Sequence, residues 1–126
     1  MLIIPDTNFL IYLAKYKLWH RLDELYGRYT LLVLPQVAYE LGQLSKKTRG
    51  KDKEASLLAL EIIRNLNVKA KEGYADAVIL QIAQWLVDAG KTDFVIATMD
   101  SELAKKLKKN KARILMIRQK RYLVEY

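Results

Sequence analysis

Short apolar runs alternate with amphipathic stretches along the whole chain. The apolar runs that have the length of strands occupy residues 2–5, 30–34, 94–98 and 113–117, and a weaker one lies at 67–70. Apolar residues at helical spacing occupy residues 8–15, 18–26, 36–44, 54–66, 74–89 and 101–110. Buried strands that alternate with helices are typical of a parallel sheet covered on both faces. The pattern therefore predicts an α/β fold of three layers, α/β/α, around a mainly parallel sheet of four to five strands.

Several details of this pattern go beyond fold class. The segment at 54–66 has apolar residues around much of its circumference, which predicts a well-buried helix. Residues 46–53 are polar and basic, and we interpret them as a long loop between two helices. The last residues, 118–126, form a basic C-terminal extension that either continues the last strand or lies on the surface as an arm.

Length and residue usage limit the class of protein. A chain of 126 residues is long enough for one domain with a real core and too short for two, so residues 1–126 are predicted to be a single domain. The apolar runs are shorter than the roughly 20 residues that cross a bilayer. The chain also starts without the cationic stretch of a secretory signal, and we therefore expect a cytoplasmic protein with no membrane partner.

The absence of cysteine and the presence of one histidine restrict the chemistry. Disulfides, a thiol nucleophile and thiolate zinc sites are excluded. A bound metal would be held mainly by oxygen ligands, which suits Mg²⁺ or Mn²⁺.

The chain is strongly basic. Its formal net charge is +8 and its pI is about 9.6, which points to a polyanionic partner because Lys and Arg release counterions from nucleic acid. From residue 101 to the end there are nine Lys or Arg and two Glu, and a second basic block lies at 46–53. The alternative is that these charges only solvate the surface.

Four carboxylates stand at the ends of apolar segments or beside apolar stripes. Asp6 follows the first predicted strand and Asp100 follows the third, and each also precedes a helix that it could cap. Asp76 lies in the first turn of its helix and borders the apolar stripe. Helix capping explains Asp6 and Asp100 about as well as catalysis does, whereas the helix dipole explains the presence of Asp76 but not its position beside the buried face.

Glu40 is harder to explain as a surface residue. It lies three residues after Val37 and four before Leu44, so it projects from the apolar side of its helix. A carboxylate among apolar neighbours costs several kcal/mol unless it is paired or bound to a cation. An ion pair with Lys or Arg is the alternative.

Taken together, the four acids predict one site. Two follow strands and two lie on helices, so all four can converge at the carboxyl edge of one sheet. Clustered carboxylates repel one another, and a divalent cation relieves that repulsion. An acidic site within a basic surface is what metal-dependent cleavage of a nucleic acid requires.

At these residues the chain resembles the PIN-domain nucleases. The resemblance lies in Asp6-Thr7-Asn8, in Glu40 within residues 37–41, in Asp76 within residues 75–80, and in Thr98-Met99-Asp100. The C-terminal third is most similar to the branch that contains the small-subunit processome PIN nuclease and its archaeal relatives, and VapC-type PIN toxins have the same acids. Met99 departs from the family, in which many members have Asn or Asp at that position.

The resemblance implies a PIN-like fold and a metal-dependent endoribonuclease. Asp6, Glu40, Asp76 and Asp100 would be catalytic and would bind one or two Mg²⁺ or Mn²⁺ ions. Thr7, Asn8, Thr98 and Ser101 would orient the acids or bound waters. The residues expected to bind the RNA backbone are Lys46, Lys47, Arg49, Lys105, Lys106, Lys108, Lys109, Arg118, Lys120 and Arg121.

The resemblance leaves the biological role open. Processing of ribosomal RNA is the first expectation, with a pre-ribosomal particle as partner. A toxin ribonuclease paired with an antitoxin is the second, and a non-catalytic RNA- or ribosome-binding PIN module is the third. A homodimer is compatible with each of them. A phosphatase similar to the haloacid dehalogenases is disfavoured, because that class has a second acid where Asn8 stands.

Overall fold

The computed structural model describes residues 1–126 and contains five strands and six helices. In chain order they are β1 (Leu2–Pro5), α1 (Thr7–Lys15), α2 (Trp19–Tyr26), β2 (Thr30–Leu31), α3 (Pro35–Lys47), α4 (Gly50–Arg64), α5 (Ala75–Asp88), β3 (Phe94–Ala97), α6 (Ser101–Lys109), β4 (Ile114–Arg118) and β5 (Tyr122–Glu125).

The five strands form one sheet in the order β2-β1-β3-β4-β5. The first four strands in that order run parallel, and β5 pairs antiparallel with β4. The predicted three-layer α/β fold with a mainly parallel sheet is therefore confirmed. No helix combines the length and the apolar character needed to span a membrane.

Alternate residues of each strand enter different cores because successive side chains point to opposite faces. Ile4 and Ile96 pack with α3, α5 and α6 in the larger core. Ile3 and Val95 pack on the other face with α1 and α2. The two inner strands β1 and β3 are thus covered on both sides, which explains why they are apolar at every position.

Three predictions about the middle of the chain are wrong. Residues 46–53 do not form a long loop, because α3 continues to Lys47 and α4 begins at Gly50. Thr48 caps the end of α3, because its hydroxyl donates to the Leu44 carbonyl at 2.6 Å. Residues 67–70 form no strand. Asn67 has a φ of 53°, in the left-handed region, which is incompatible with the extended backbone of a strand.

The third error concerns α4, which is less buried than its pattern predicted. Its inner face consists of small or short side chains, Ala55, Ser56 and Ala59, followed by Ile63. These residues pack on α1 and α3. Leu57 and Leu58 lie on the outer face and are more than 40% exposed.

Residues 118–126 turn back onto the sheet instead of leaving it. β5 pairs with β4 through a tight turn in which Arg121 N donates to the Arg118 carbonyl at 3.0 Å. The two central residues, Gln119 and Lys120, have φ values of 53° and 59°. Positive φ at both positions is what a type I′ hairpin turn requires. The structure therefore matches neither alternative: the segment does not continue β4 and is not a free arm, but forms a fifth, antiparallel strand after the turn.

Candidate active site

The site lies at the carboxyl edge of the sheet, between its two central strands. β1 and β3 are neighbours, with Pro5 opposite Ala97. The ladder continues one residue beyond β1, because Asp6 N donates to the Ala97 carbonyl at 2.7 Å. From β1 the chain goes on to β2 on one side of the sheet and later to β3 on the other side. A crevice at such a reversal of strand order is where open α/β sheets bind their ligands.

Asp6 is held rigidly at this edge and is only 5% exposed. Its Oδ1 accepts a hydrogen bond from Phe9 N at 2.7 Å, so it caps α1. Its Oδ2 accepts from the Thr98 hydroxyl and from Met99 N at 3.3 Å. Burial nevertheless raises the pKa of Asp6 from 3.8 to about 6, against the effect of these hydrogen bonds and with a small contribution from Asp76. Capping and site formation are therefore not alternatives for this residue.

Asp100 follows the same pattern at the end of β3. Its Oδ1 accepts from Glu102 N at 2.8 Å and from Leu103 N at 3.2 Å, which caps α6. Its own N–H donates to the Thr98 hydroxyl oxygen at 3.0 Å. The buried Thr98 hydroxyl therefore connects Asp6 directly to the backbone of Asp100.

Glu40 reaches the site from α3 and is half-buried. Its Oε2 accepts from the Thr7 hydroxyl at 2.6 Å, and its Oε1 accepts from Ala75 N at 3.2 Å. Ala75 is the first residue of α5, and Tyr74 supplies no side-chain cap there, so Glu40 takes the place of a cap at the positive end of that helix. No Lys or Arg pairs with Glu40, so the ion pair considered from the sequence is not formed.

Asp76 lies one residue further along α5 and is exposed. Partial burial and the charges of Asp100 and Glu40 raise its pKa, and Lys106 opposes that rise. The three acids therefore act on one another electrostatically, although they come from three different elements.

All four predicted acids line one open cavity of about 200 Å³. Its lining residues are Asp6, Thr7, Asn8, Glu40, Tyr74, Ala75, Asp76 and Asp100. Thr98 lies beneath Asp6, whereas Ser101 lines a different cavity and makes no hydrogen bond to the acids. No sequence signal identifies Tyr74 as part of the site; it is 85% exposed at the rim.

The cavity fits a hard divalent cation in charge and in donor type. It offers four carboxylates and the oxygens of Thr7 and Asn8, and none of the four acids takes part in any of the ion pairs of the chain. No three acidic side chains already form a closed group of metal ligands. Asp6 and Glu40 are fixed by hydrogen bonds, whereas Asp76 and Asp100 are exposed. If a cation draws the four carboxylates together, the side chains of the two exposed acids are the ones that can move towards it.

The predicted RNA-binding side chains are all exposed, and they lie in three places. Lys46 and Lys47 end α3, and Arg49 immediately precedes α4. The four lysines of α6 follow Asp100 along the chain, and Lys106 is the one whose charge reaches Asp76. The remaining three, in the C-terminal hairpin, lie over aromatic rings: Arg118 over Tyr126, Lys120 over Tyr16 and Arg121 over Tyr122.

Comparison with known proteins agrees with this geometry. A family model described as a PIN like domain matches residues 3–120. Ribonuclease VapC4 of Methanocaldococcus jannaschii is 36% identical over 126 residues, covering 95% of this chain and 92% of its own. Ribonuclease VapC9 of Archaeoglobus fulgidus is 31% identical over 107 residues, covering 83% of this chain and 74% of its own.

A solved structure agrees as well. The PIN domain endonuclease Utp24 superimposes with a TM-score of 0.68 at 23% identity, over 95% of this chain and 87% of that one. At that identity the match supports the fold, and the family model and the two sequence relatives identify the family. The resemblance found in the sequence is thereby confirmed: the chain belongs to the PIN-domain nuclease family.

Proposed function

We propose that the protein is a metal-dependent endoribonuclease. The observation that carries the proposal is the convergence of Asp6, Glu40, Asp76 and Asp100 on one cavity in which no cationic side chain pairs with any of them. Unpaired acids at such short range are destabilising unless a cation joins them. The names of the two sequence relatives, both ribonucleases, support RNA as the substrate.

The four acids have two kinds of task in this proposal. Asp6 and Glu40 form the rigid part, since both carboxylate oxygens of each residue accept hydrogen bonds. Asp76 is exposed and forms the adjustable part, and Asp100, whose Oδ1 is held as the cap of α6, completes the ligand set with its other oxygen. One or two Mg²⁺ or Mn²⁺ ions would supply an activated water near neutral pH and would offset charge on the scissile phosphate.

The other predicted residues would position these groups and the substrate. Thr98 and Thr7 donate hydrogen bonds that orient Asp6 and Glu40, as the outer partners of metal ligands do. Asn8 faces the cavity and offers an amide to water or to phosphate oxygens. Lys106 lies close enough to affect Asp76, which makes it the first candidate to bind a phosphate beside the scissile one.

Two biological roles are compatible with the proposed ribonuclease activity. Similarity to proteins named VapC over most of both chains favours a toxin-type ribonuclease with an antitoxin partner. Processing of ribosomal RNA, which was the first expectation from the sequence, is the alternative role, and the structural similarity at 23% identity supports the fold alone. Co-purification from the native cell separates them: a small protein bound at equal stoichiometry supports the toxin, and pre-ribosomal RNA supports processing.

Cleavage of RNA by matched variants tests the proposal. Asp6→Asn removes the buried charge of the site and should abolish Mg²⁺- or Mn²⁺-dependent cleavage. Asp88→Asn is the control, because Asp88 is an exposed acid at the far end of α5 whose bond to Gln84 an amide can retain. Full activity of Asp6→Asn contradicts the assignment of the site. Absence of cleavage by the wild-type chain with either ion favours the non-catalytic RNA-binding module.

A further inference from the structure

A second cavity, of about 240 Å³, lies beside the acid cavity. The two share the turn that begins α6, since Asp100 lines the first and Ser101 lines the second. The second cavity lies between α6 and the C-terminal hairpin. Its lining residues are Ser101, Ala104, Lys105, Lys108, Ile114, Met116, Arg118 and Tyr126.

The floor of this second cavity is apolar. Ala104 of α6 and Ile114 and Met116 of β4 form it, and all three belong to the larger core of the protein. These three residues are at most 9% exposed, so the floor is rigid and presents only a small apolar area at the bottom of the cavity. A small apolar recess of this kind fits one flat or apolar group.

The rim is cationic and contains one aromatic wall. Lys105, Lys108 and Arg118 lie on it, and no acid lines the cavity. The Tyr126 ring has Lys108 Nζ at 5.6 Å and Arg118 Cζ at 5.2 Å from its centroid. Arg118 Nε also donates to the Tyr126 hydroxyl at 2.7 Å, which fixes the ring. Neither Lys108 nor Arg118 is paired with a carboxylate.

We propose that this cavity binds one base of the RNA strand, at a nucleotide next to or near the scissile phosphate. A base has flat apolar faces that suit the floor and the Tyr126 wall, and its flanking phosphates suit the cationic rim. The volume is below the range of about 300–1,000 Å³ typical of sites for drug-sized ligands, as expected for a single ring system. The inference rests on the proposed function, because it assumes that the same strand passes the acid cavity.

Binding of short RNA without divalent metal tests the base site separately from cleavage. The probes are a short oligouridylate and the matched oligomer that lacks its bases, both in EDTA. Loss of the bases should weaken binding to the wild-type chain by about five- to 100-fold, which is the usual range for base stacking on an aromatic side chain. The signal is fluorescence anisotropy of the labelled oligomers.

Two variants test whether this difference belongs to the second cavity. Tyr126→Ala removes its wall, and Ala104→Leu fills its floor; each should bring the two affinities to within about two-fold of each other. Ala89→Leu, at an exposed position after α5, is the matched control and should retain the full difference. Because Ala104 is buried, Tyr126→Ala is the decisive variant if Ala104→Leu unfolds.

Methyl resonances give a direct readout of the same event. Those of Ile114 and Met116 should shift with oligouridylate and stay unchanged with the oligomer that lacks bases. The base site is overturned if Tyr126→Ala retains the full difference in affinity between the two oligomers, or if the methyl signals of the wild-type chain do not shift. If the protein cleaves RNA but binds the oligomers with and without bases equally well, the base site alone is refuted. If binding depends on the bases but no RNA is cleaved, the nuclease assignment is contradicted and the base site stands.

Discussion

Asp6→Asn should change the stability of the metal-free protein in a way that depends on pH. Burial raises the pKa of Asp6 from 3.8 to about 6, so folding disfavours its ionised form. The native state is therefore penalised as pH rises through this window, and the penalty is absent below about pH 3.8. A pKa rise of this size corresponds to about 3 kcal/mol at neutral pH and above, since one pKa unit is equivalent to about 1.36 kcal/mol.

The asparagine variant lacks this penalty at every pH. Its amide can still accept from Phe9 N, but it places a donor where Oδ2 accepted from Thr98 and Met99. That mismatch costs about 1–3 kcal/mol and does not depend on pH. The informative quantity is therefore the change with pH of the difference in unfolding free energy between variant and wild type. Of the roughly 3 kcal/mol, about 2 should develop in favour of the variant between about pH 4.5 and about pH 7.5.

Urea unfolding in EDTA at several pH values measures this quantity. The slope against denaturant should stay the same in both proteins, so that the midpoints report stability. A difference that stays constant with pH refutes the assignment of a buried, cation-free carboxylate to position 6. Addition of Mn²⁺ extends the test, because it should stabilise the wild-type chain at neutral pH and have little effect on Asp6→Asn.

The remaining predictions concern the other acids and the lysines. Glu40→Ala should lose about 1–3 kcal/mol in unfolding free energy, because the Ala75 N–H loses its acceptor, and Glu40→Gln should lose less; equal losses in thermal unfolding contradict this role. Asp100→Asn should keep the stability of wild type while cleavage is lost, since Asn caps a helix as well as Asp does; a drop above about 1 kcal/mol argues against it. Lys106→Gln should lower the slope of log affinity for single-stranded RNA against log salt by about 0.7, with Lys91→Gln as the unaffected control.

The positions of Asp6 and Asp100 were predictable because two local signals coincide at each of them. A fully apolar strand followed by an acid, at once for Asp6 and after two residues for Asp100, places that acid at the carboxyl edge of a parallel sheet. Register then brings the two strand ends together, with Pro5 opposite Ala97. The sequence also presented capping and catalysis as competing explanations, whereas the structure shows that one carboxylate can cap a helix and line the acid cavity at the same time.

The partners of Glu40 were beyond sequence reasoning. Its position on the apolar side of α3 was legible from helical spacing, but the donors that satisfy it come from Thr7 and Ala75, which lie 33 and 35 residues away. Only the packing of α3 against both α1 and α5 brings them within reach. These two donors take the place of the Lys or Arg side chain in the ion pair that was the alternative explanation for Glu40.

The errors have local causes as well. The Gln119-Lys120 turn lacks the Asn-Gly type of signal that marks a type I′ hairpin, so the final strand was ambiguous. The leucines of α4 suggested burial on all sides, yet α4 packs through its small residues against two other helices. Hydrophobic periodicity reports which residues are apolar, and it does not show how many neighbours surround a helix.

Titration of the chain with Mn²⁺ by calorimetry tests the central claim most directly. The wild-type protein should take up one or two ions per chain with a saturable heat. Asp76→Asn removes an exposed carboxylate of the acid cavity with little expected effect on folding, and it should weaken or abolish that uptake. Asp88→Asn should bind as the wild type does. No uptake by the wild-type chain, or equal uptake by the wild type and Asp76→Asn, contradicts a metal site built from these four acids.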